Sequence, residues 1–308
     1  MTVSSRSSVS VLVPCLDEEL AIADVIADLR RELPDARILV IDNGSADATA
    51  ARAREAGAEV ISEPRRGKGR AVVAGFTLLE EDIVIMLDGD GSYPAQGARL
   101  LLEAHRRAPV DMITGVRSTA AATAYRPMHR LGSAVFARVF RLIFDHEPGD
   151  LFSGVRLFSK RFYKNVPILF RGFELETELT VQAVEKGFQL SELPVPFRAR
   201  AAGSSSKLHT VRDGLRVLRL LLVLFRDYQP LMFFGATALV LFLAGLAAGS
   251  LPIYEYFTTR LVGRFPLAIL AAGLMNLSLF TLLTGLMLES SLRHRRESYQ
   301  ITLRNYRA

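Results

Sequence analysis

Short apolar runs alternate with stretches of helical periodicity through residues 1–207 of the chain. The runs Val9 to Pro14, Arg37 to Asp42, Glu59 to Ser62, Ile83 to Leu87 and Asp111 to Gly115 read as strands. Between them, Glu18 to Leu33, Ala46 to Ala56 (with Ser45 as N-cap) and Gly69 to Glu80 read as helices. Strand and helix in regular alternation predict an α/β domain with a mostly parallel sheet joined by crossover helices. Polar residues gather where the strands end: Asp17, Glu18 and Glu19; Asp42 and Asn43; Asp88 and Asp90. Ligands of open α/β sheets bind at that edge, so one cleft built from several loops is expected.

The pattern changes toward the C-terminus. Leu231 to Ile253 is 23 residues without a charge, and Phe265 to Leu288 is 24. Each exceeds the roughly 20 residues that cross a hydrocarbon core as a helix. Only Tyr254 to Arg264 separates them, which predicts a transmembrane hairpin; neither segment shows the polar face of a core helix in a soluble domain. The tail carries Arg293, Arg295, Arg296, Arg304 and Arg307, placing it and the region before Leu231 on the cytoplasmic side. Ahead of the hairpin, Leu208 to Tyr228 sets Arg212, Arg216, Arg219 and Arg226 on one sector and leucines on the rest, as in a helix lying on an anionic membrane surface. The expected organisation is a catalytic domain (1–207), an amphipathic juxtamembrane helix (208–230), two transmembrane helices (231–290) and a basic cytoplasmic tail (291–308). The short polar N-terminus predicts no secretory signal, so the setting is a cell inner membrane crossed twice.

Composition narrows the chemistry. The chain has 308 residues with a net charge of +6, half of them hydrophobic. Its mean hydropathy is +0.23. A single cysteine, Cys15, excludes an internal disulfide and a Cys-rich zinc site. The five histidines form no metal-binding pair, and the basic residues beside apolar helices point to anionic lipids instead of nucleic acid.

Asp88-Gly89-Asp90 follows an apolar run directly. Two carboxylates about a glycine on a tight turn can hold a hard divalent cation and let a phosphate approach the backbone. The basic loop Arg65 to Arg70 lacks the Gly-Lys-Ser/Thr of a Walker loop, yet offers amides and positive charge to a diphosphate at a helix start. Arg117, Arg126 and Arg130 are suitable forked phosphate donors. Glu176 is a weaker candidate for orienting sugar or acceptor, because acidic residues in a first helical turn commonly serve the helix dipole.

Five ordered motifs, Pro14-x-x-Asp17-Glu18, Asp42-Asn43-Gly44-Ser45, Arg66-Gly67-Lys68-Gly69, Asp88-Gly89-Asp90 and Asp150-x-x-Ser153-Gly154-x-Arg156, resemble those of inverting family 2 glycosyltransferases with the GT-A fold. The segment Glu192 to Leu208, with Arg200, Ser206 and Lys207, resembles the branch that glycosylates polyprenyl phosphates, typified by dolichyl-phosphate mannose synthase. The resemblance implies that Asp42, with Asp17 or Glu19, meets the nucleoside and that a Pro14 turn shapes its pocket. Lys68, Arg200, Ser206 and Lys207 would face the donor phosphates. Asp88 would face sugar or ribose, and Asp90, with Asp88, would hold Mg²⁺ or Mn²⁺. Arg117, Arg126 and Arg130 would take the acceptor phosphate, making Asp88, Asp90, Arg117 and Arg130 the catalytic set. Asp17 and Asn43 stand where the family often carries Asn and Asp.

The activity this implies is transfer of a sugar, from UDP in preference to GDP, onto a polyprenyl phosphate such as undecaprenyl or dolichyl phosphate. The anomeric centre would invert, and the chain would be free to form homo-oligomers. The alternative from another class is an inactive membrane-anchored protein that binds nucleotide sugars. A polysaccharide synthase is excluded, since its Gln-x-x-Arg-Trp signature needs the tryptophan this chain lacks.

Overall fold

The structure is a computed structural model that describes residues 7–117, 138, 140, 141, 144, 149–168, 175–198 and 222–305. It divides into two compact units that meet in sequence between Leu208 and His209. The first is built on seven strands: β1 (Val9–Cys15), β2 (Arg37–Asp42), β3 (Glu59–Ser62), β4 (Ile83–Met86), β5 (Met112–Arg117), β6 (Arg156–Ser159) and β7 (Leu190–Val195). Its helices are α1 (Ile22–Glu32), α2 (Thr49–Glu55), α3 (Lys68–Leu78), α4 (Ala95–Arg107), α5 (Lys160–Tyr163) and α6 (Leu175–Glu185).

The strand order is β3-β2-β1-β4-β6-β5-β7. Pairing is parallel throughout except for β6, which runs antiparallel between β4 and β5. Alternate residues of the strands point to opposite faces. Val11, Val13, Val40 and Ile85 pack into one core with Val25, Ile26 and Leu29 of α1 and Ala98 and Leu101 of α4. On the other face Leu12 meets α3 so closely that a Cβ on Gly75 would lie 2.3 Å from its Cδ1. There Phe158 stacks on Phe162 with ring centres 5.3 Å apart and meets Phe76 edge-on at 5.4 Å. The result is a three-layer α/β/α arrangement, as the alternation predicts.

Three local expectations are corrected. Pro14 lies inside β1, opposite Ile41 of β2, and not in a turn. Leu12 is the last β1 residue paired with β4, so the N–H that Pro14 lacks would face a neighbour that has already ended. The helix expected from Ala46 begins at Thr49, and Ser45 is not its cap: its hydroxyl accepts the Asp17 amide at 3.0 Å. Strands β6 and β7 and helix α4 add to the elements expected from the sequence; α4 is amphipathic, burying Ala98, Leu101 and Leu102, and β6 departs from the parallel pattern.

The second unit contains α7 (Pro230–Thr259) and α8 (Phe265–Asn305), with residues 222–228 also helical. Both long helices are apolar enough to cross a membrane, and only 11% of each apolar window is buried. That separates them from core helices, which would be mostly covered. Ser278 donates to the Ala238 carbonyl at 2.7 Å across the hairpin, satisfying a polar group where water would be absent. The basic residues Arg293 to Arg296 continue α8. Within the expected amphipathic segment, 208–221 lies outside the described residues.

Candidate active site

Sheet direction decides which loops meet. Since β6 is antiparallel to both β4 and β5, those two strands run the same way, and the ends of β1, β2, β4, β5 and β7 share one edge with the start of β6. Asp17, Asp42, Asp88, Asp90, Arg117 and Asp150 therefore come to that edge. Helix α6 leads into the opposite end of β7, which brings Glu176, in its first turn, to the same side.

The nucleoside candidates form a rim of interlocked turns. Asp17 is left-handed, with φ of 53°, and its carboxylate accepts the Ala46 amide at 2.8 Å. Glu19 accepts the Ala48 amide at 3.0 Å, and the buried Asp42 accepts the Ser45 amide at 3.3 Å. Asn43 donates to the carbonyls of Glu63 and Arg65 while its oxygen accepts the Gly67 amide at 2.6 Å. An aspartate cannot donate, so asparagine is the residue that ties β2 to the loop entering α3. Arg65 turns back onto Glu63, whose carboxyl it holds down at about 2.

At the centre, Lys68 opens α3 and its ammonium contacts two acids: Asp88 Oδ1 at 2.6 Å and Glu176 Oε1. Burial alone would push Lys68 down, but the two carboxylates outweigh it and hold it well above the ordinary lysine value. Burial pushes Asp88 up, Glu176 and Asp90 add to this, and Lys68 opposes it. Behind Asp88 sits Gly154, where a Cβ would lie 1.9 Å from Oδ2. Gly89 is equally confined, since its Cβ would lie 2.4 Å from Cys15 Sγ. Cys15 packs there as a small buried group whose thiol burial pushes up. Asp90 accepts the Ser92 amide at 2.9 Å and its hydroxyl at 2.5 Å, which closes the turn.

Glu176 is thus buried against a lysine 108 residues away in the chain, a placement that helix-dipole reasoning missed. Arg117 is held bidentately by Asp150, at 2.6 and 2.8 Å, and lies over the Phe197 ring. Arg156, wholly buried, donates to the carbonyls of Leu151 and Ser153 and to Thr180 Oγ1, tying the 150–154 loop to α6. Only its place in the Asp150 to Arg156 motif marked it in the sequence. Arg126, Arg130, Arg200, Ser206 and Lys207 lie outside the described residues.

A cavity of about 230 Å³ opens beside Asp90, lined by Leu20, Asp24, Tyr93 and Arg198 among others. A larger one of about 350 Å³, by Asp82, His105 and Asp111, lies at the opposite sheet edge, away from these acids. Among the described residues no three His, Cys, Asp or Glu side chains gather about one point. The acidic turn offers two carboxylates without thiolate or imidazole. That donor set fits a hard divalent cation that completes its shell with water and phosphate oxygens, and not a caged metal.

The family model described as glycosyl transferase family 2 matches residues 10–166, half of the chain and every strand from β1 to β6. The chain belongs to glycosyl transferase family 2. It is 31% identical to glycosyltransferase AglJ of Haloferax volcanii over 286 residues, 91% of this chain and 94% of that protein. It is 28% identical to the dolichyl-phosphate hexose transferase of the same organism, over 70% of this chain and 93% of the relative. Among solved structures it is similar to Mycobacterium tuberculosis glucosyl-3-phosphoglycerate synthase bound to Mn²⁺, uridine diphosphate and product. That match has a TM-score of 0.56 at 20% identity and covers 71% of this chain and 79% of the other. The neighbour shows the shared GT-A architecture; the enzyme class follows from the family.

Proposed function

We propose that this glycosyltransferase moves a hexose from a nucleotide sugar, with UDP favoured over GDP, to a polyprenyl phosphate at the cytoplasmic face of the membrane. The observation that carries the reading is the AglJ match: a similarity over 91% of the chain must run from the α/β unit into the apolar helices, which supports a catalytic domain that works together with a membrane hairpin. The relative named for dolichyl-phosphate hexose transfer supports the lipid acceptor. The Mn²⁺ and uridine diphosphate of the structural neighbour make a divalent cation and a uridine donor the ones to test first.

In this reading Asp42 and the Asp17 to Glu19 turn receive the nucleoside, and the Lys68 end of α3 faces the diphosphate. Asp90, with Asp88, would hold the divalent cation. When bound, that cation supplies positive charge against the departing nucleoside diphosphate. Arg117, aimed by Asp150 and Phe197, would take the acceptor phosphate, the role the resemblance also gives Arg126 and Arg130, and would keep two phosphates from repelling each other. A lipid phosphate is already ionised near neutral pH, so attack needs no strong general base. Direct displacement inverts the anomeric carbon.

The test is incubation of the full chain in detergent with a panel of UDP- and GDP-sugars and a short prenyl phosphate, read by mass spectrometry. A prenyl monophosphate sugar is the expected product, lost in Asp90→Ala. Donor binding without transfer would favour the alternative, an inactive membrane-anchored protein that binds nucleotide sugars, and full activity of Asp90→Ala with chelator present would overturn the metal assignment.

A further inference from the structure

Asp88 is closed in on both sides. Lys68 contacts its Oδ1, and Gly154 leaves no room for even a methyl group beside Oδ2. A divalent cation reaching Asp88 would stand against the Lys68 ammonium, and two like charges a few ångströms apart in a half-buried site repel strongly. Lysine has a flexible stem and three donors, so it can let go of one acceptor while keeping another. Glu176 is that second acceptor, and it is well fixed. Thr180, one turn along α6, donates to the Glu176 carbonyl at 3.1 Å and receives the buried Arg156 guanidinium at 2.8 Å.

We propose that Lys68 is a built-in counter-ion of Asp88 that a divalent cation displaces onto Glu176, so that Glu176 is a positioning residue governing how readily the acidic turn accepts metal. This rests on the reading of Asp88 and Asp90 as the cation turn and goes beyond it. Without metal, the ammonium neutralises Asp88 and keeps a half-buried carboxylate from standing unpaired. With metal, Lys68 remains on Glu176 beside the donor site instead of leaving for solvent. Lys68 thereby exchanges between Asp88 and Glu176, and Lys68 and Glu176 affect metal affinity with opposite sign.

The experiment measures Mn²⁺ binding to the full chain in detergent, without donor and at mildly alkaline pH, from the loss of the free Mn²⁺ paramagnetic resonance signal. Lys68→Met removes the competing charge and should tighten Mn²⁺ about tenfold, while Glu176→Gln confines Lys68 to Asp88 and should weaken it by about the same factor. Lys68→Arg retains the charge and should stay near wild type. A shift of both Lys68→Met and Glu176→Gln in one direction, as a shared structural role would give, overturns the proposal. So does an unchanged Lys68→Met, or a Lys68→Arg that behaves like Lys68→Met. If wild type binds Mn²⁺ neither alone nor with UDP, the cation turn itself fails, an outcome distinct from wild-type binding that Lys68 does not modulate.

Discussion

Gly154 and Asp47 show how single residues set the site. A Cβ at Gly154 would lie 1.9 Å from Asp88 Oδ2, so Gly154→Ala must turn that carboxylate away from Lys68 and the donor edge. Transfer should fall at least about tenfold, or about 1.4 kcal/mol of transition-state stabilisation, with the thermal midpoint little changed; steady-state rates beside a melting curve check this. Asp47 receives the amides of Glu19 and Thr49 and the Thr49 hydroxyl. Burial alone would push its carboxyl up, but those hydrogen bonds outweigh it and hold it below the ordinary value. A depressed aspartate contributes stability above its unfolded pKa of about 3.9 and loses it as pH falls through the lower folded value. Asp47→Asn should therefore lower the melting temperature most near neutral pH and least in strong acid, which flattens the acid limb of melting temperature against pH. Asp17, Asp42, Asp88 and Asp90 were legible in the sequence because each follows an apolar run that must end at the sheet edge. The Lys68 to Glu176 contact was not: the two are 108 residues apart, and neither neighbourhood carries a mark of the other.

At the scale of elements, contact between α3 and β1 keeps Lys68 in reach of Asp88. Gly75 lets the helix backbone lie directly on Leu12. Gly75→Ala would overpack this seam at a cost of about 1–3 kcal/mol and, by lifting α3, should also reduce transfer; chemical denaturation of the purified protein reads the first effect and the assay the second. The parallel strands with their crossover helices were readable because periods of two and 3.6 residues are local signals. Strand β6 was not, since its wholly buried Arg156 interrupts the apolar run and pairing direction depends on distant partners. The onset of α2 was misread for a similar reason. Asp47 and Ser45 bond to the Asp17 to Glu19 turn, a tertiary contact that overrides local capping.

Over the whole molecule, two long apolar helices with a basic extension make sidedness the property to measure. Cys15 is the sole cysteine and is buried, so a cysteine introduced elsewhere reports alone. In intact cells an impermeant maleimide should label Thr259→Cys, at the end of α7, and spare Arg295→Cys; the reverse pattern would put the acidic turn on the wrong side for cytoplasmic nucleotide sugars. By itself the sequence determined the alternation of strands and helices, the acidic turn at a strand end and the hairpin, because each is written in near-neighbour periodicity and hydropathy. Only the tertiary structure decided that β6 runs antiparallel between β4 and β5. That insertion carries Gly154 to Asp88, while the course of the chain through α6 brings Glu176 to Lys68. Such pairings depend on strand order and on burial shared by segments far apart in the chain, and no local pattern encodes them.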